Sequence, residues 1–207
     1  MLSHKKSLNI LRKTDALLEG HFVLSSGLHS SKYIQCAKLL SYPHLAEKIC
    51  KSLASKIKKN FSKFDLILSP AIGGIIIGYE IGRILKKETI FCERVRGKFT
   101  LRRGFKIKKD SKVLIIEDVI TTGKSSIECV KLIKKAKAKL IGFASIIDRS
   151  DKRNLKIKSK IISQLKIDVP VFNKKQIPNS LKLIPITTPG SRFCLLYTSP
   201  SPRDKSS

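Results

Sequence analysis

Apolar residues along this chain fall into two textures. Up to about residue 60 they recur at helical spacing or in short pieces, and from Phe64 they come as consecutive runs alternating with helical patterns. Leu8, Leu11, Ala16 and Leu17 predict an amphipathic opening helix over 5–18, with Gly20 as its stop signal. Phe22–Leu24 and Tyr33–Cys36 read as short strands around a Ser-Ser-Gly turn, a hairpin. Ser41-Tyr42-Pro43 opens a further helix carrying Leu45, Ile49, Leu53 and Ile57 on one side, with Lys48, Lys51, Lys58 and Lys59 largely outside it.

The later runs read FDLILSP, GGIIIGYEIGRIL, TIFCERV, KVLIIEDV, SSIECVKLIKKA and AKLIGFASIID, a βαβ alternation. Consecutive apolar positions such as LIL and VLII suit strands covered by helices on both faces. The fold class is therefore α/β, an open parallel sheet with flanking helices whose ligand lies at the carboxyl ends of the strands. Between Arg94 and Lys112 the basic segment RVRGKFTLRRGFKIKKDSK, with two glycines, reads as a long mobile loop or a hairpin, of the kind that serves as a lid. After Arg149 the pattern weakens into short β-like pieces, so function is expected earlier in the chain.

One domain is expected over 1–192: a small N-terminal hood over about 1–42, a core over about 43–150, and a C-terminal part over about 151–192 that returns to the hood or sheet. The tail 193–207 breaks with the Lys/Ile-rich body and is set aside from the fold as a candidate non-native extension.

Composition adds one large number. At 207 residues, Lys+Arg 43 against Asp+Glu 15 leaves a formal charge of +28, which raises nucleic acid as a partner. Arg is the minority among these cations, the lysines are scattered instead of clustered, there is no Trp, and no basic-aromatic interleaving builds a stacking platform. Specific nucleic-acid binding is thus disfavoured against a general Lys bias and anionic small-molecule chemistry. The cysteines Cys36, Cys50, Cys92, Cys129 and Cys194 lack zinc-knuckle or redox spacing and read as free thiols. The first twenty residues lack the uninterrupted apolar core of a secretory signal, and the longest apolar-rich run, Ala71 to Tyr79, is too short to span a bilayer. A soluble cytoplasmic protein without a membrane partner is expected.

Residues 112–126 carry the chemistry. An apolar strand ends at Glu117-Asp118, where two carboxylates can accept hydrogen bonds from vicinal sugar hydroxyls. Thr121-Thr122-Gly123-Lys124-Ser125 then offers hydroxyls and successive backbone N–H groups at a helix N-terminus, a pocket for a phosphate. Either half alone is an ordinary turn or helix start. In this order they make one site for a polyol phosphate. Gly123-Lys124-Ser125 ends like a Walker A loop, but that loop needs glycine where this chain has Asp118, whose carboxylate would repel the phosphates.

The segment closely resembles the phosphoribosyl-pyrophosphate loop of the type I phosphoribosyltransferases. Within them the wider chain resembles the orotate phosphoribosyltransferase family. Phe22-Val23-Leu24-Ser25-Ser26-Gly27, with Ser30 and Tyr33, is similar to that family's substrate hood, and Glu93-Arg94 through Lys98 to Leu101-Arg102-Arg103-Gly104-Phe105 to its mobile loop. Asp148-Arg149-Ser150 resembles the strand end that bears its orotate-binding arginine, and Pro189-Gly190-Ser191-Arg192 is a weaker echo of one subfamily's ending.

The resemblance implies Mg²⁺-dependent transfer of ribose 5-phosphate from phosphoribosyl pyrophosphate to orotate, in a homodimer whose lid is shared between subunits. Glu117 and Asp118 would hold the ribose hydroxyls while Val119, Ile120, Thr121, Thr122, Gly123, Lys124 and Ser125 wrap the 5-phosphate. Ile72 and Gly73, in the Ala71–Gly74 turn, would lie beside pyrophosphate, and Lys98 with Arg94 would close over it. Lys98 and Asp118 would be the catalytic pair, and Thr121 and Arg149 would contact orotate. No metal ligand set is implied, because the substrate mainly holds the Mg²⁺. Arg149 also has an independent rationale, since a guanidinium fork matches a carboxylate bidentately. The chain departs from the family pattern at Ser25, Val95 and Thr100, where many members carry lysine, a second basic residue and histidine. His21 and His29, near the hood, are expected to be structural or exposed and not catalytic. Two rivals stay open: a phosphoribosyltransferase for another base, and a nucleic-acid-binding regulator on the same fold.

Overall fold

The computed structural model describes residues 1–24, 26–151 and 155–189. Ser25, Gly190-Ser191-Arg192, Cys194 and the tail 193–207 lie outside the described residues. The described residues divide into two compact units, one from 1–18 with 34–168 and the other from 19–33 with 169–189.

In the larger unit, α1 (His4–Lys13) stops earlier than its apolar spacing predicts. The Thr14 side chain turns back to donate to the Ile10 carbonyl at 2.9 Å, Asp15 takes a φ of 53°, and the Ala16 N–H closes on Leu11 O at 2.9 Å. Ala16 and Leu17 are buried, but β1 (Leu17–Val23) starts at Leu17, so Gly20 is a strand residue and no helix stop. After β2 (His29–Ile34) come α2 (Cys36–Leu40) and α3 (Pro43–Asn60), which buries Leu45, Ile49, Leu53 and Ile57 as expected.

The βαβ series follows: β3 (Leu66–Pro70), α4 (Gly73–Leu85), β4 (Glu88–Val95), β5 (Lys98–Leu101), β6 (Lys112–Ile120), α5 (Lys124–Lys135), β7 (Lys139–Asp148) and β8 (Ile161–Lys166). The strands form one six-stranded sheet in the order β5-β4-β3-β6-β7-β8. Every pair is parallel except β4 with β5, so the expected parallel sheet carries one antiparallel edge strand. From β3 the chain steps to β4 on one side, and from β6 to β7 on the other, which makes the gap between β3 and β6 the topological switch point.

Apolar runs supply both faces of this sheet. Leu66, Leu68, Val113 and Ile115 pack with Cys129 and Ile133 of α5, while α3 and α4 contribute the fully buried Ile49, Leu53, Ile57, Ile77 and Ile81. Close approach of α4 requires its glycines: a Cβ on Gly74 would lie 3.2 Å from Ile116 O and from Ser69 Cβ. The expected boundary of the core moves outward at both ends. Residues 1–18 and 151–168 belong with it, because β8 pairs with β7 and Gln164 Nε2 donates to Ser7 Oγ at 2.9 Å.

The smaller unit holds a four-stranded sheet in the order β10-β1-β2-β9, using β9 (Val171–Phe172) and β10 (Ile186–Thr187), with α6 (Asn179–Lys182) between them. The expected hairpin is β1 and β2, closed by Gly27 N–H on Leu24 O at 2.8 Å. His21 Nε2 and His29 Nδ1 lie 2.7 Å apart inside this sheet, both buried, so the two histidines are spent on each other.

Candidate functional site

The carboxyl ends of β3, β6 and β7 bring three loops to one sheet edge. Ile120 pairs with Asp148, which sets Arg149 beside the start of the 121–125 loop, and the Arg149 N–H bonds Ile120 O at 3.0 Å. Across the switch point, a Cβ on Gly73 would lie 2.7 Å from Asp118 Oδ2, so the first turn of α4 approaches that carboxylate as only glycine permits. Gly73 and Gly74 thus divide two duties. Gly73 faces the acidic strand end, and Gly74 packs the helix on the sheet.

Glu117 and Asp118 differ in surroundings although they are adjacent. Glu117 is 8% exposed, and its Oε1 accepts from the Ser126 hydroxyl on α5. Burial pushes its pKa up to about 7, against the Ser126 hydrogen bond that lowers it, with the charge of Asp118 adding to the rise. Burial also raises Asp118, partly offset by the Val119 N–H, which donates to Asp118 Oδ1 at 2.9 Å. Two raised carboxylates at the end of a buried strand mark a working site more than a structural turn.

The loop after them has the shape of an anion cradle. Thr121, Thr122 and Lys124 are exposed, and Gly123 takes a φ of 72° as the cap residue before α5. A Cβ there would also meet Ile157 Cγ1 at 2.6 Å, so glycine is required twice over. Residues 155–157 brace the loop from outside, with the Lys156 N–H on Thr122 O at 3.0 Å. Glu117 and Val119 to Ser125 line a small cavity of about 80 Å³ at the N-terminus of a twelve-residue helix, where backbone N–H groups and the helix dipole favour an anion.

Arg149 is half-buried, and among the described residues no carboxylate acts on it. Burial draws its pKa down. A desolvated guanidinium left unpaired is costly, and an anionic ligand would relieve it.

Of the two readings of 94–112, the hairpin is observed. Val95 pairs with Lys98 around a two-residue Arg96-Gly97 turn with both φ values positive. The return strand is tied down by Arg103 on Glu93 at 2.9 Å and by Phe105 against Phe91. Arg94 and Lys98 stand on this hairpin, apart from the small cavity. They line, with Lys124, a groove of about 500 Å³ between the hairpin and α5.

Ser126 is the residue that sequence reasoning missed. It shares the buried face of α5 with Cys129 and Ile133, three and seven positions on, and a hydroxyl on an apolar face calls for a partner.

Residues 40–176 match the phosphoribosyl transferase domain family. The chain is 42% identical over 193 residues to the orotate phosphoribosyltransferase of Erythrobacter litoralis (strain HTCC2594), covering 92% of this chain and 99% of that one. The chain belongs to the orotate phosphoribosyltransferase family. Among solved structures, the orotate phosphoribosyltransferase of Aeropyrum pernix is similar with a TM-score of 0.66 at 21% identity, over 77% of this chain and 92% of that one. An adenine phosphoribosyltransferase from Thermoanaerobacter pseudethanolicus is similar with a TM-score of 0.58 at 17% identity, over 66% of this chain and 88% of that one. The family's fold therefore spans different bases, and the choice of base rests on particular residues.

Proposed function

We propose that this chain is a magnesium-dependent orotate phosphoribosyltransferase of pyrimidine synthesis. It transfers ribose 5-phosphate from phosphoribosyl pyrophosphate to N1 of orotate, forming orotidine 5′-monophosphate and releasing pyrophosphate. The observation that carries this reading is the half-buried Arg149, without a carboxylate partner among the described residues, just past the end of the strand beside Glu117-Asp118 and the 121–125 cradle. Donor recognition and an acceptor carboxylate receptor stand on adjacent strand ends. The 42% identity to an orotate enzyme favours the same base.

Glu117 and Asp118 hold the ribose hydroxyls, and Val119 to Ser125 receive the 5-phosphate. The backbone at Ile72 and Gly73 lies on the pyrophosphate side, and Thr121 and Arg149 orient orotate. As the C1–O bond breaks, positive charge builds on the ribose and negative charge on pyrophosphate. Lys98 and Arg94 supply cations to the leaving group, while the two carboxylates ease the charge on the sugar. No side chain needs to act as a nucleophile, since holding both substrates in line supplies much of the acceleration.

The residues present fit a magnesium ion carried by the substrate. Glu117 and Asp118 are a pair of carboxylates, and Mg²⁺ favours one or two carboxylates with substrate phosphates and water. When bound, the ion neutralises charge on the pyrophosphate.

A homodimer fits the exposed apolar stripe Ile72, Ile76 and Tyr79 along α4, beside an apolar groove of about 410 Å³ between α3 and α4. A second copy seated there abuts the 71–74 turn, which suits a lid shared between subunits. No helix among the described residues is long and apolar enough to cross a membrane, and we place the activity in the cytoplasm.

The test is loss of orotate absorbance on adding phosphoribosyl pyrophosphate and Mg²⁺, run beside adenine, hypoxanthine, xanthine and uracil. Orotate consumption abolished by chelation is the expected result. Turnover of another base alone would keep the donor site and move the acceptor. Silence with all five, with steeply salt-dependent oligonucleotide binding, would favour the regulator.

A further inference from the structure

Arg94 is exposed at the end of β4, yet both terminal nitrogens of its guanidinium are bonded. Nη1 donates to Gly97 O at 2.7 Å and to Glu128 Oε2 at 2.9 Å, Nη2 donates to Glu128 Oε1 at 3.2 Å, and Cζ lies 4.1 Å over the Phe99 ring. The fork therefore grips a carboxylate of α5 with both arms.

The charges around this contact single out Glu128. The groove between the hairpin and α5 is lined by Arg94, Lys98, Lys124, Lys131 and Lys156, and Glu128 is the one carboxylate among the described residues lining it. Without Glu128, five cations would face one another across the groove. Glu128 also stands one turn along the helix whose first turn forms the phosphate cradle.

We propose that Glu128 is a positioning residue that holds Arg94 at rest against α5 and competes with the pyrophosphate group of the substrate for it. The proposal rests on Arg94 being a pyrophosphate ligand. A carboxylate and a phosphate offer the guanidinium fork the same pair of oxygens, so one arginine serves either but not both in full. Pyrophosphate carries more charge and wins when present, and Glu128 wins when it is absent. Arg94 and Lys98 stand on the paired strands of one hairpin, Arg94 opposite Phe99 and Lys98 opposite Val95, so both cations belong to the same lid. An exposed ion pair of this kind is a shallow latch, and removing it raises the competent fraction by roughly two- to five-fold.

The experiment is a thermodynamic cycle on the full chain. The dissociation constant of phosphoribosyl pyrophosphate is measured calorimetrically with Mg²⁺ for the wild type, Glu128→Gln, Arg94→Ala and the double variant, with melting temperatures as the folding control. Glu128→Gln should bind roughly two- to five-fold tighter, Arg94→Ala should bind more weakly, and Glu128→Gln should add nothing in the Arg94→Ala background. Unchanged or weaker binding by Glu128→Gln would overturn the latch. So would tightening that persists without Arg94, because it would then be a general effect of removing one negative charge. Normal binding by Arg94→Ala would instead remove Arg94 from the substrate site, and the latch with it.

Discussion

The Ser126 hydroxyl, in the first turn of α5, donates to Glu117 Oε1 on β6, and both groups are buried. The helix that offers its N-terminus to the phosphate thus also fixes the carboxylate that would hold the ribose. Loop and acid are set by one element.

That bond predicts a pH effect. It lowers the pKa of Glu117, which burial holds near 7, so its loss lets the pKa rise. Ser126→Ala should therefore move the acid limb of kcat/KM for phosphoribosyl pyrophosphate upward by about one pH unit, the size of a hydrogen bond to a charged group. Ionisations of the substrate cancel in the comparison with wild type, and Ser126→Thr should restore the profile. Superimposable profiles for all three proteins would remove Ser126 from the site.

Glu117 predicts a stability effect of definite sign. Its folded pKa of about 7 lies above the ordinary 4.5, so between these values the folded chain keeps a proton that the unfolded chain releases. Stability falls as pH rises through that window, by about 3 kcal/mol in total, and the cost is complete above about pH 8. Glu117→Gln carries no such cost. Its melting temperature relative to wild type should climb by several degrees between pH 5 and pH 8, and a flat or falling difference contradicts the buried-acid assignment.

The two glycines after β3 separate site from scaffold. Gly73→Ala puts a Cβ against the Asp118 carboxylate and should lower turnover about tenfold or more while leaving the melting temperature near wild type, as Asp118→Asn should too. Gly74→Ala presses on Ile116 O and Ser69 instead and should cost stability first. The reverse pattern in the two alanine variants would place the site elsewhere.

Much of this was legible because the governing patterns are local. Consecutive apolar runs announce β3, β6 and β7, and the switch from LIIEDV to TTGKSS marks a strand end followed by a helix start. What the sequence hid depends on tertiary contacts. Ala16 and Leu17 continue a helical spacing, yet Asp15 turns the chain and makes Leu17 a strand residue. Ser126 shows a role only once α5 lies against β6, and the use of Arg94 depends on Glu128, thirty-four positions away.

Arg149 tests the acceptor. A lysine keeps the charge but loses the fork, so Arg149→Lys should raise KM for orotate about tenfold or more with little change in KM for phosphoribosyl pyrophosphate. Because Arg149 has no carboxylate partner among the described residues, the substitution should not lower the melting temperature. A KM for orotate equal to wild type would return the choice of base to other residues.

The shared lid has the most direct test, because it needs two damaged proteins to make a working one. Lys98→Ala lacks the lid cation, Asp118→Asn lacks the ribose-side carboxylate, and each alone should be nearly inactive. In a mixed population about half the dimers are hybrids, and in a hybrid the intact Asp118 of one subunit meets the intact Lys98 of the other at one of two sites. Mixing should then restore about a quarter of wild-type activity. If each lid served its own subunit, every hybrid site would keep one lesion and mixing would restore nothing. Ile76→Asp, which charges the exposed stripe of α4, should lower the apparent mass on gel filtration and abolish the complementation when present in both partners.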